Sequence, residues 1–197
     1  MFTRLSRFNR FLLILMFVLY LITLGAFIYL NWQAEKVHVV GFLILNAIIL
    51  SLPLILLYGS IYVLVSAWRE HRLTGQIGPR SAKVIHWAPR IAGIVIIFFV
   101  SLFSLDVFEM EGTPLQLLAA FLIHSVPALI MIVLLVFAWR WPVVGFVAFL
   151  AAGLFFLRFV IPNFNPGTLM LFTIPLLLIS GLFFADWRWH KPQATAV

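Results

Sequence analysis

Cysteine is absent from the 197 residues, which excludes disulfides, thiolate nucleophiles and cysteine-held metals. Charge is scarce as well. Lys, Arg, Asp and Glu make up 10% of the chain, against about 25% in a typical soluble domain, and only 6 residues are acidic. The alternation of polar and apolar positions that a β-barrel needs is missing. No G-x-S-x-G elbow, P-loop, dinucleotide fingerprint or H-E-x-x-H pair occurs. No catalytic, cofactor-binding or metal-binding residue is therefore assigned, and no cofactor is expected.

What remains is apolar. The chain is 64% hydrophobic, in repeated runs of about 18 residues or more, each able to cross a hydrocarbon core of about 30 Å. The expected fold is all-α: a polytopic transmembrane bundle of six helices arranged as three hairpins. The net charge of +7 does not point to nucleic acid, because the basic residues sit in particular loops where they orient the chain and meet anionic lipid.

Arg4, Arg7 and Arg10 precede the first run, Phe11–Leu30. This resembles a signal peptide, but it is longer than a typical h-region and no A-x-A site follows, so it is read as an uncleaved helix. After a polar turn from Asn31 to His38, the second helix spans Val39–Ala67, with a kink expected at Pro53, which leaves the Ile49 carbonyl without its helical donor. Trp68 to Arg90 is the one long polar segment, and a short interfacial helix is expected at Ser81–Trp87. The remaining helices are expected at Ile91–Phe108, Leu115–Ala138, Val143–Ile161 and Thr168–Ala185, with an acidic turn at Glu109–Pro114, a tight turn at Trp139–Pro142 and a polar turn at Pro162–Gly167.

Six spans put both termini on one side. The three N-terminal arginines, the loop residues Arg69, Arg72, Arg80, Lys83 and Arg90, and Arg140, Arg188 and Lys191 all fall there, leaving only Lys36 and Arg158 opposite. The positive-inside rule then makes both termini cytoplasmic. Two parts are expected: residues 1–89, a two-helix hairpin with its basic loop, and residues 90–197, a four-helix module. Each inward-running helix carries a proline and closes on tryptophan and arginine. The closing sets are Trp68 and Arg69, then Trp139, Arg140 and Trp141, then Trp187, Arg188 and Trp189. They suit interface anchors, with indoles in the headgroup belt and guanidinium groups reaching outward. Related hairpins are a second reading of the same pattern.

Arg90-Ile91-Ala92-Gly93, FSLDVFE at 103–109, LIHSVP at 122–127, AWRWP at 138–142 and PLLLISGLFFADW at 175–187 together resemble a widespread family of small, uncharacterised prokaryotic membrane proteins. The resemblance covers about Arg90 to Trp189. It departs at Pro142, where an acidic residue is frequent, and at Phe146, where a second glycine often follows Gly145. It implies four transmembrane helices and no established activity.

Ionisable groups inside a membrane are costly and are functional candidates by default. Four form a candidate polar cluster: Asp106, Glu109, His124 and Arg158. The plainer reading is structural, with Asp106 paired to Arg158 and His124 bonded to a backbone carbonyl or to Asp106. The sharper reading is a proton relay or small-ligand site, because histidine changes charge near neutral pH. The expected function is a non-enzymatic membrane subunit or scaffold in the prokaryotic plasma (inner) membrane. The alternative is a small proton-coupled carrier or channel using Asp106, Glu109 and His124. The expected partners are the lipid bilayer, anionic lipid at the basic 68–90 loop, and a membrane-protein partner or a second copy of the chain.

Overall fold

A computed structural model describes residues 2–34, 40–160 and 166–189. The turns expected at Asn31–His38 and Pro162–Gly167 lie partly outside these residues. Among the described residues every element is helical. They are α1 (Phe2–Ala34), α2 (Val40–Thr74), α3 (Pro79–Leu102), a 3-10 turn at Phe103–Glu109, α4 (Pro114–Arg140), α5 (Pro142–Val160) and α6 (Pro166–Trp189). α6 passes through a π turn at Leu169–Thr173 just before Pro175, a position where a proline ring would otherwise meet the carbonyl one turn back. Five helices are long and apolar enough to cross a membrane, and α5 is apolar but shorter. These are the helix lengths and composition of a membrane protein.

The polar segment between α2 and α3 is much shorter than its composition implies. α2 runs on to Thr74 and α3 begins at Pro79, so the expected separate helix at Ser81–Trp87 is instead the start of α3, and the third helix begins well before Ile91. The reason is amphipathicity. Ile85 is buried beside Ala67 and Ala185, and Pro89 is buried one turn on, whereas Lys83 and Val84 stay exposed. α2 stops at Gly75, whose φ of 71° is the left-handed conformation that favours glycine, and whose amide donates to the His71 carbonyl at 2.8 Å. Pro79 then opens α3, where a missing amide proton costs nothing. Glu70 ties the turn together, accepting from the Gly78 amide at 3.2 Å and from the Ser81 hydroxyl. α4 starts on a capping box between Thr113 and Gln116.

Consecutive helices pack as antiparallel pairs, α1 on α2, α3 on α4 and α5 on α6. The pairs are not independent, because α6 also lies against α2 and α3. The main core draws Leu56 from α2, Ile96 and Phe99 from α3, Leu135 from α4, Phe149 from α5, and Ile179 and Phe183 from α6. Among the described residues α1 touches α2 alone. It is held by a 2.6 Å hydrogen bond between Thr23 and Tyr58 and by the Arg69 guanidinium 3.6 Å over the Phe8 ring.

Two glycines on α5 let α6 approach. A Cβ at Gly145 would lie 2.6 Å from the Phe183 ring, and one at Gly153 would lie 2.7 Å from Leu177. Phe183 has little room to yield, because Phe149 stacks on it with centroids 5.6 Å apart. Gly145→Val should therefore lower thermal stability in detergent by about 2 kcal/mol, in the range for overpacked cores. Gly59 has nothing within 4 Å of its Cβ position, so Gly59→Ala should be neutral or slightly stabilising. Equal losses in the two variants would reject the close-packing account.

Candidate functional site

The four residues of the expected polar cluster do not converge. Asp106 and Glu109 share a face of the 3-10 turn, as three-residue spacing requires, and both are exposed. Arg158 is exposed near the end of α5. α5 lies mainly along α4 and α6, reaching α3 through Phe149 beside Gly93, and the expected Asp106–Arg158 pair does not form. His124 lies on the outer surface of α4, its Nδ1 2.9 Å from the Ala120 carbonyl. A carbonyl only accepts, so Nδ1 carries the proton. No hydrogen bond or ion pair joins any two of the four among the described residues.

The polar chemistry sits at the opposite, basic end, and it centres on Arg90. The side chains of Arg90 and Asp186 are 1% and 0% exposed. The guanidinium Nη1 donates to Asp186 Oδ2 at 2.7 Å and also to the His86 carbonyl one turn back on α3. Nη2 donates to the Trp139 carbonyl at 3.1 Å. That carbonyl belongs to the last turn of α4, where helix geometry leaves acceptors unpaired and partial negative charge accumulates. The His86 ring places Nδ1 3.2 Å from the other carboxylate oxygen, Asp186 Oδ1. One side chain thus ties α3, α4 and α6 at a common depth. Arg90, expected at the end of the basic 68–90 loop, does not lie on the surface. It is interior, and the exposed basic residues of that segment are Arg72, Arg80 and Lys83.

Above this tie lies an open cleft of about 840 Å³ between α2, the Gly75–Gly78 turn, α3 and α6. Its polar walls are His71, Gln76, Lys83, His86 and Arg188, and Trp189 closes one side, its ring 5.5 Å from that of His71. Among the described residues no Asp or Glu lines it. The two acids at this end are engaged elsewhere: Asp186 with Arg90 and His86, and Glu70 with Gly78 and Ser81.

The expected anchors surround this end and divide into two kinds. Trp68, Trp139, Arg140, Trp141, Trp187 and Arg188 are exposed. Arg72 reaches over Trp68 at 5.1 Å, and Arg140 over Trp141 at 5.8 Å. Arg69 and Trp189 are half-buried and belong to the bundle. Sequence reasoning missed the partnership of Arg90 with Asp186. Its signal was the scarcity of acids. A carboxylate close to a run of basic residues at the end of an apolar helix calls for a buried partner at the same level of the bundle.

Breaking a buried pair leaves an uncompensated charge, which costs about 3–5 kcal/mol. Asp186→Asn and Arg90→Met should each destabilise the detergent-solubilised protein by roughly that amount. The double variant Arg90→Met/Asp186→Leu should recover much of the loss, because an apolar pair carries no desolvation cost. Additive losses in thermal unfolding would mean that the pair is not the coupling unit.

No curated protein and no solved structure matches this chain. One family model, described as a domain of unknown function (DUF7670), matches residues 78–195. The match runs from the N-cap of α3 past the end of α6, and so contains Arg90, Trp139 and Asp186 together. It takes in more than half of the chain, and the protein belongs to the DUF7670 family.

Proposed function

We propose that this chain is a six-span integral protein of the prokaryotic plasma membrane, with both termini cytoplasmic, that acts as a non-enzymatic membrane subunit. Its working surface is the cleft at the basic end, on the cytoplasmic face. The observation that carries this reading is the state of the cleft's polar groups. Cations and amides line the walls, while the carboxylates of Asp186 and Glu70 hold the fold together. A fixed cationic hollow of this kind suits recognition of a ligand or partner.

The orientation rests on eleven of the 13 basic residues falling at one end. A reporter active only outside the cytoplasm should stay silent when fused after Val197 and work when inserted near Gly112. The reverse pattern would put the cleft on the wrong face. The binding role has its own test. A photo-crosslinking residue at Gln76, in the cleft, should give a discrete adduct in cells, whereas one at Ile94, exposed on the helix face, should give only diffuse labelling. The same diffuse labelling at both positions would remove the cleft as the working surface.

A further inference from the structure

We propose that the cleft binds a phosphate-bearing group of lipid-headgroup size, gripped by Lys83 of α3 and Arg188 of α6. The inference rests on the reading of the cleft as a binding surface and goes on to name its ligand class. Three observations converge. The first is charge: Lys83 and Arg188 face the cleft, and among the described residues its lining contains no Asp or Glu. Of the two acids nearby, Asp186 is fully buried with Arg90 and His86, and Glu70 accepts from Gly78 and Ser81. Cationic side chains without a facing acid at a protein surface attract an anion, and phosphate oxygens offer the acceptors that guanidinium and ammonium donors need.

The second observation is the backbone. Pro79, the first residue of α3, lies on the cleft wall. The start of this 24-residue helix carries partial positive charge, part of which the Glu70 carboxylate already meets through the Gly78 amide and the Ser81 hydroxyl. The third is size and place. About 840 Å³ is several times what a bare phosphate fills and lies within the range of about 300–1,000 Å³ typical of small-ligand sites. Trp87, Trp139 and Trp187 are exposed at the same end, where indoles mark headgroup depth. A phosphorylated polyol, either free or as the headgroup of an anionic lipid, satisfies charge, hydrogen bonding and volume together.

The test uses the full chain in nanodiscs and separates the two sources. In discs of phosphatidylcholine alone, glycerol 3-phosphate is titrated by calorimetry. In discs doped with phosphatidylglycerol, retained lipid is read by native mass spectrometry. Lys83→Gln/Arg188→Gln should weaken whichever probe binds by about thirtyfold, or about 2 kcal/mol, taking about 1 kcal/mol per basic residue near an anionic group. Arg188→Lys should restore most of the affinity in the Lys83 background. Arg72→Gln removes an exposed cation that stacks on Trp68 outside the cleft and should change affinity less than threefold. Unchanged melting temperatures would show that the variants fold. Binding of glycerol 3-phosphate in neutral discs identifies a free phosphate ester as the ligand, and retention of phosphatidylglycerol alone identifies a headgroup. Binding of neither probe, or equal losses in the double variant and Arg72→Gln, would overturn the proposal. A discrete adduct at Gln76 with no phosphate binding would overturn this inference alone and leave the cleft as a binding surface for another ligand.

Discussion

A guanidinium group removed from water must find acceptors, and the architecture at the basic end follows from how Arg90 finds them. Its donors reach one carboxylate on α6, one carbonyl on α4 and one carbonyl on its own helix. None of these is interchangeable. The Asp186 carboxylate neutralises the charge. The Trp139 carbonyl is one that α4 itself leaves unpaired at its C-terminus. The His86 carbonyl lies one turn back on Arg90's own helix, within reach of its side chain. Sliding any one helix by a turn, about 5.4 Å, would separate donors from acceptors by more than a hydrogen bond can span. The pair contributes little net stability through charge alone, because desolvation offsets attraction. Its effect is register, since three helices with largely featureless apolar faces acquire one allowed depth.

Below that tie, shape takes over. In the proposed membrane setting, lipid tails are as apolar as leucine, so helices associate through close packing rather than hydrophobic exclusion. α5 and α6 meet through Gly145 and Gly153, with Phe183 and Leu177 filling the space that a side chain would occupy. Ser180 adds a hydrogen bond to the Phe146 carbonyl at 2.8 Å. Further along, Phe99, Phe103, Phe156 and Phe172 form an aromatic group with ring centroids 5.2–5.4 Å apart. The π turn in α6 lies in this group, as Phe172 is part of it. The widened backbone ahead of Pro175 therefore coincides with this four-ring group.

The helical class and the six apolar runs were legible because burial in lipid or in a helix core demands long uninterrupted stretches, and these survive in composition. The start of α3 was not legible for the same reason. Pro79–Pro89 is amphipathic rather than apolar, so a scale that averages hydropathy sees a loop where Ile85 and Pro89 make one buried face. The site was misplaced for a related reason. Intramembrane acids and histidines attract attention because they are rare, and Asp106, Glu109 and His124 were conspicuous. Their exposure depends on which helix α5 leans on, and no local pattern encodes that. Arg90 looked like one more snorkelling residue among five in its segment. Only its separation of 96 residues from Asp186, closed by the bundle, distinguishes it.

The cleft is composite in origin, which bears on what the family segment does by itself. Lys83, His86, Arg188 and Trp189 lie within residues 78–195, but His71, Gly75, Gln76 and Ile77 lie before them. α2 therefore supplies one wall and the closing turn, and Glu70, also on α2, holds that turn against the start of α3. α2 packs on both α3 and α6, so its contribution is built into the bundle. α1 is different. Among the described residues it touches α2 alone and contributes no residue to the cleft. The four helices of the matched segment thus contain the Arg90 tie and the cationic grip, and α2 turns an open basic face into a hollow of defined volume. A chain of four such helices without α2 would keep the register device and lose the enclosure, so enclosure is the property that the N-terminal hairpin adds.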